Sequence, residues 1–225
     1  MAILEKTIFI LIAFLLITKV VNAQNKEAGS WSTLNAKATL NTKWSAYTEF
    51  QLRSLSFYDR FYYYELKGGV TWSFLPKYSF TIGTGLYNTF NEGEEYEHYS
   101  RQKEVRLWEQ FIMDQKLSVV EIEHRYRAEQ RFKGSFENRF RYRLNVSVPI
   151  NKREITTNAL YMAVFNELFF TDKQPHFSRN RFHAGVGYVF DENMSLQSGW
   201  LRQVDFNRDR TRRKNYFLLS VSYKM

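Results

Sequence analysis

Arg139, Arg141 and Arg143 stand at alternate positions in the stretch FENRFRYRLNVSV, residues 136–148. Alternate positions of an extended chain share one face, so the three guanidinium groups form a row. A row of permanently charged forks binds carboxylate, phosphate or sulfate, and selects anions where it lines a passage. The preceding stretch repeats the device with both signs: Glu121, Glu123, Arg125, Arg127, Glu129 and Arg131 also alternate. Arg179 and Arg181 make a third, shorter row. Against these arginines stand fewer carboxylates nearby, Glu121, Glu123, Glu129 and Glu137. Two chemistries fit: recognition of small anionic solutes, or a ladder of ion pairs that fills space between strands. A slightly slipped register would set Glu123 near Arg141 and Glu121 near Arg143, keeping like charges from facing each other.

Other chemistry is largely excluded. The chain has no cysteine, which removes disulfides, thiolate metal ligands and thiol nucleophiles. His98, His124, His176 and His183 are scattered, with no carboxylate–histidine spacing for a metal, and no glycine loop is built for phosphate, so neither metal nor cofactor is expected. His98-Tyr99-Ser100 resembles the His-x-Ser pair of outer-membrane phospholipases, in which an asparagine completes a triad. Here the pair ends an acidic loop, and no asparagine occupies a matching place on the next strand. The expectation is a protein without intrinsic catalysis; a lipid-modifying hydrolase is the alternative that Ser100 keeps open.

The rows need elements to hold them. Opposite the arginines of 136–148 run Phe136, Phe140, Tyr142, Leu144, Val146 and Val148, the period-2 pattern of a strand with one apolar face. The pattern recurs with little interruption. Strands are predicted at 30–40, 43–53, 61–74, 78–89, 101–113, 116–131, 135–148, 154–166, 178–190, 194–206 and 214–225. Apolar rows include Trp44-Ala46-Thr48-Phe50-Leu52 and Tyr62-Tyr64-Leu66-Val70-Trp72-Phe74. Strand 101–113 breaks the rule, because Glu109 lies on the apolar row and Trp108 on the charged one. A β-bulge at 107–109 is expected to turn Glu109 inward and Trp108 outward.

A soluble sheet would put the arginines in water; a transmembrane barrel would put the aromatics in lipid and the arginines in its lumen. Residues 1–23 have a lysine, an apolar run from Thr7 to Ile17 and the small pair Asn22-Ala23, the layout of a cleaved signal peptide. Export makes nucleic acid an improbable partner despite a formal charge of +9, and the basic residues are dispersed through strands. Aromatics at 18% and a mean hydropathy of −0.48 suit barrel strands, whose two faces average out. Tight turns are predicted at 41–42, 75–77, 114–115, 149–153 and 191–193, alternating with longer loops at 54–60, 90–100, 167–177 and 207–213; only the short 132–134 connection breaks the rule. That segregation is the habit of outer-membrane barrels.

The last strand sharpens the reading. Phe217, Leu219, Val221, Tyr223 and Met225 alternate to the final residue, resembling the terminal signature read by the barrel-assembly machinery, with methionine where an aromatic is usual. RLWEQ (106–110), RFRYRL (139–144), FNELFF (165–170) and SRNRFHAGVGYVF (178–190) together resemble an uncharacterised domain-of-unknown-function family of Gram-negative outer-membrane β-barrel proteins. That resemblance brings no activity and no site residues. The expected fold is all-β: a single antiparallel transmembrane β-barrel of about 10–12 strands over residues 24–225, in contact with outer-membrane lipid. Even strand number would make it ten or twelve, depending on whether 30–40 is a wall strand. Its role is expected to be a narrow anion-favouring pore or a closed binding barrel, a soluble periplasmic barrel or sandwich being the other alternative. The residues expected in the lumen are Glu109, Glu121, Glu123, Arg125, Arg127, Arg139, Arg141, Arg143, Arg179 and Arg181.

Overall fold

The computed structural model describes residues 28–90 and 102–225. The expected signal segment 1–23 and the His98/Ser100 pair lie outside the described residues. Eleven strands follow one another: β1 (Ala28–Thr39), β2 (Trp44–Ser56), β3 (Asp59–Leu75), β4 (Tyr78–Thr89), β5 (Gln102–Leu117), β6 (Val120–Phe132), β7 (Phe136–Pro149), β8 (Leu160–Thr171), β9 (Phe177–Val189), β10 (Met194–Phe206) and β11 (Thr211–Lys224). They close into one barrel in sequence order.

Alternation decides the faces, and it does so in the inverse sense to a soluble core. Side chains that point out are apolar and exposed: Ile82 is 62% exposed, Leu86 and Phe140 each 54%. Aromatics tile this outer wall across neighbouring strands, Trp44 on Trp72 (6.2 Å), Phe74 on Tyr78 (6.2 Å) and Tyr126 on Tyr142 (5.0 Å). Side chains that point in are charged or hydroxylated and buried, including Glu65, Lys67, Arg106, Arg127, Glu129 and Arg139. A cluster of Trp31, Tyr62, Tyr63, Tyr87, Leu201, Tyr216 and Leu218 supplies most of the buried apolar packing. Tyr62, read from sequence as part of an outward row, joins it because the register shifts between Arg53 and Ser54. The bulge turns its ring inward, where its hydroxyl meets that of Tyr216 at 2.6 Å.

The strand count corrects the parity argument. Segment 28–39 is a full wall strand and the described residues hold no further one, so the closed barrel has eleven strands, neither ten nor twelve. An odd number can close only with one parallel pair. That pair is β1 and β11, in register from Ala28↔Asn215 to Lys37↔Lys224. The seam is completed by Thr33 donating to Ser220 Oγ at 2.7 Å and by the Met225 N–H on the Lys37 carbonyl at 2.7 Å. Ala28 and Met225 therefore sit at opposite ends of the barrel.

The connections also differ from expectation. The turn predicted at 114–115 lies inside β5, which runs on to Leu117 and turns at Ser118, held at φ 57°. The loop predicted at 54–60 shrinks to Phe57-Tyr58, with Tyr58 at φ 50°. The strand predicted at 154–166 begins only at Leu160, because Asn151 ties the preceding loop: it donates to the Asn158 carbonyl (3.0 Å) and accepts from the Leu160 N–H (2.7 Å). Both ends consequently carry mostly short connections, and the predicted segregation of short from long loops is not adopted. Among the described residues, one end holds 57–58, 133–135, 172–176 and 207–210; the other holds 40–43, 76–77, 118–119, 150–159 and 190–193.

The seam gives a direct test in a chain without native cysteines. In-register neighbours lie about 4.8 Å apart, inside the disulfide range of about 4.4–6.8 Å. Thr33→Cys with Ser220→Cys should cross-link on oxidation, seen as a gel shift reversed by reductant. Thr33→Cys with Gln197→Cys, one strand further round, should not. A ten-stranded wall lacking β1 would leave the first pair reduced as well.

Candidate functional site

Strands β6 and β7 pair symmetrically about the 133–135 turn, where Gly134 takes φ 80°. Arg125 faces Arg143, Arg127 faces Arg141, Glu129 faces Arg139 and Arg131 faces Glu137. The slipped register expected from charge alone is thus not adopted. The short turn and the outward pairs Tyr126↔Tyr142 and Ala128↔Phe140 set the alignment, and the like charges are relieved by Glu129 on β6 itself and by Glu167 on β8. Glu129 accepts from Arg141 Nη1 at 2.5 Å and from Arg139 Nε at 2.8 Å, and lies 3.7 Å from Arg106 Nη1 and 3.8 Å from Arg127 Nη1. Glu167 on β8 accepts from Arg125 Nη2 at 2.6 Å and Arg141 Nη2 at 2.7 Å, with Arg181 Nη1 at 3.6 Å. Both carboxylates are buried. Arg106 also binds Glu104 through Nε at 2.7 Å, so three anions serve these six cations, and the centre of the lumen keeps an excess of positive charge.

Aromatic faces carry part of that excess. The Arg53 guanidinium lies 3.4 Å over Trp31 and 4.0 Å over Tyr63, Arg106 lies 3.6 Å over Tyr87, and Arg181 lies 4.7 Å from both Trp31 and Phe169. Such contacts contribute about 2 kcal/mol each when desolvated. Arg127 rests 4.4 Å over Trp108. No bulge interrupts β5: Trp108 pairs regularly with Gly83 and Glu129 and stays inward, fully buried, while Glu109 points out. Gly83 is the reason. A Cβ there would lie 2.0 Å from the Trp108 ring, so the indole occupies the space that any other residue would fill. Glu109 is therefore not a lumen residue. Its carboxylate accepts from Gln130 Nε2 at 3.1 Å on the outer wall, in a groove between Phe80, Phe111 and Phe140.

Above the cluster, a cavity of about 460 Å³ opens at the end bearing the 133–135, 172–176 and 207–210 connections. Among the described residues, twelve of its lining side chains are lysine or arginine and four are aspartate or glutamate. Arg53, Arg106, Arg139, Arg141 and Arg181 form its deep part, and Lys133, Lys173 and Lys214 belong to the mouth. At the mouth, partial burial and the nearby Arg131 hold the Lys133 pKa below its ordinary value, although Glu137 at 3.0 Å pulls the other way.

Of the residues expected in the lumen, Arg125, Arg127, Arg139, Arg141 and Arg181 converge on the two glutamates. Arg143 pairs with Glu123 at 2.5 Å, Arg179 pairs with Asp205, and Glu121 lies toward the opposite end, in register with Lys116 and Ser147. Glu167 was not singled out from sequence, since it falls one residue beyond the strand drawn at 154–166. Glu104, Arg106 and Gln110 were obscured by the expected bulge, although they share Trp108's inward row. Glu65 and Lys67 are legible as a charged face, and they join Arg53 and Glu49 in a second buried network.

Removing one anion from the centre should be costly in proportion to the cations it leaves. Glu129→Gln keeps the shape and removes the charge, and its expected cost is about 3–5 kcal/mol, read as a lower urea midpoint in detergent. Glu109→Gln, on the apolar outside, should leave the midpoint unchanged or raise it. The reverse ranking would mean that the inner and outer faces are wrongly assigned.

No curated protein and no solved structure matches the chain. A family model described as a protein of unknown function (DUF2490) matches residues 28–215, nearly the whole barrel. By that match, a closed eleven-stranded barrel with a basic cavity at one end belongs to the DUF2490 family.

Proposed function

We propose that the protein is an outer-membrane barrel of a Gram-negative cell that binds soluble anions in its basic vestibule and catalyses no reaction. One observation carries the binding role: among the described residues, cations outnumber carboxylates three to one around a cavity open at one end. The exposed apolar outer wall supports the membrane location, since water would penalise it and lipid would not. The expected export segment supports the same location, and the C-terminal strand supports contact with assembly machinery. Beneath the vestibule, Trp108, Glu129, Phe169 and His183, from four different strands, are each at most 1% exposed. That filling favours binding over free conduction, in keeping with a strand number well below that of open porins. With the C-terminal end in the periplasm, the vestibule faces the cell exterior.

Single cysteines in the cysteine-free chain test location and orientation together. Lys173→Cys at the mouth should react with a membrane-impermeant maleimide on intact cells, and Asn193→Cys at the other end should react only after lysis. A protein recovered without detergent from the soluble fraction would sink the membrane reading. In planar bilayers under a salt gradient, the expected result is little current, with any residual current favouring anions; cation-selective current would refute the basic-lumen reading.

A further inference from the structure

We infer that the vestibule's ligand is a compact, non-aromatic polyanion, a soluble molecule carrying two or more phosphoryl, sulfate or carboxylate groups on a polar frame. The inference rests on the anion-binding reading above and narrows it in three steps.

Charge comes first. Among the described residues the lining exceeds neutrality by eight positive charges, in a cavity whose size suits one small ligand. A monoanion would offset little of that excess, whereas a polyanion meets several fixed forks at once. One fork is held before any ligand arrives: the Arg53 guanidinium lies between Trp31 and Tyr63, so it is positioned without further loss of freedom, whereas Arg106, over Tyr87, already commits its Nε and Nη2 to Glu104. Arg53 also retains capacity. It is 6% exposed and its Nη2 donates to Gln51 and Glu65, but its Nε is buried with no hydrogen-bond partner. An unpaired buried donor on a cavity wall is where an acceptor gains most.

Aromatic coverage comes second. Each of the four aromatic rings among the described lining residues already packs against a partner: Tyr63 against Arg53, Tyr62 against Lys214 at 4.6 Å, Phe206 against Phe177 at 4.9 Å and Phe90 against Tyr64 at 5.8 Å. A nucleobase or aryl group would have to displace one of these contacts to stack. The uncharged lining is instead rich in amides and hydroxyls, among them Gln102, Ser178, Gln203 and Asn207, which suit a hydroxylated frame such as a sugar.

Access comes third. The cavity is lined by inward side chains of the wall and opens at the strand ends, so a headgroup tethered to a bilayer lipid would have to pass over the rim to reach Arg53. A free solute meets no such barrier.

Calorimetric titration of the full mature protein in non-ionic detergent separates the possibilities. Sodium tripolyphosphate should bind on the order of tenfold or more tighter than orthophosphate, one tenfold step corresponding to about 1.4 kcal/mol. ATP should bind no tighter than tripolyphosphate. Arg53→Gln should weaken tripolyphosphate about tenfold; if that variant does not fold, Lys133→Gln at the mouth should weaken it by a smaller factor. Lys116→Gln at the opposite end should change nothing. Equal affinity for orthophosphate and tripolyphosphate would overturn the polyanion while leaving the anion vestibule intact. ATP binding clearly tighter than tripolyphosphate would overturn the non-aromatic part. Binding of micelles doped with lipid A, with none of tripolyphosphate, would identify a lipid phosphate as the ligand and overturn the soluble source. Binding of no anion at all would overturn both this inference and the reading beneath it.

Discussion

Glu129 and Glu167 are the two charges on which the interior depends. Each is buried among arginines from several strands, and between them they contact Arg106, Arg125, Arg127, Arg139, Arg141 and Arg181. Without them β6 and β7 would set Arg127 against Arg141 with no carboxylate between, and Arg125 against Arg143 with only Glu123 beside the latter. Like charges directly opposed on a sheet destabilise it, and burial would strengthen the repulsion. The carboxylates arrive from a directly paired position in one case and from the next strand in the other. The arginine row on β7 is therefore tolerated only because β8 stands beside it. Local pairing and barrel closure are in this sense one constraint.

The same constraint explains why the interior is basic. A set of ion pairs with equal numbers would be neutral and inert. Here most arginines share a carboxylate, and aromatic faces take up part of the shortfall through cation–π contacts. A ring positions an arginine without taking up its N–H groups, and Arg53, although paired with Glu65, keeps its Nε without a partner. It stays available to an incoming anion, which is the property a binding vestibule needs and a purely structural ladder lacks.

What could be read from the chain follows from what alternation encodes. Period 2 assigns faces, so the inward rows Glu121–Arg131 and Glu137–Arg143 and the outward aromatics were legible at once. Alternation does not encode where a strand ends. Asp114-Gln115 reads as a turn, yet β5 continues because its outward and inward rows continue beyond it, to Leu117. Nor does it encode which of two clashing assignments a mixed strand takes. Trp108 and Glu109 look interchanged until Gly83, twenty-five residues earlier, is known to lie directly opposite. Glu167 was invisible for the same kind of reason: its role depends on β8 beginning at Leu160, which is fixed by the Asn151 side chain and not by hydrophobic pattern. Closure parity is the most global property of all, and no local stretch shows that β1 and β11 run parallel.

Gly83 belongs to a wider solution to a geometric problem. Lumen width grows with strand number, and valine or leucine side chains from an eleven-stranded wall would leave the middle empty. The chain fills it by pairing a large inward residue with a glycine on the neighbouring strand. Trp108 lies over Gly83, and Tyr161 lies over its partner Gly187, where a Cβ would come within 2.1 Å of the ring. His183, stacked on Phe165 at 4.9 Å, would be met at 2.7 Å by a Cβ on Gly199. Each pair lets a ring lie flat along the wall and reach across the lumen, where two ordinary side chains would collide. These plugs sit among or beyond the glutamate cluster, and none of the three large residues lines the cavity above. The glycines thus determine where the barrel is solid. The arginines, long enough to span what the glycines leave open, determine where it can take a ligand.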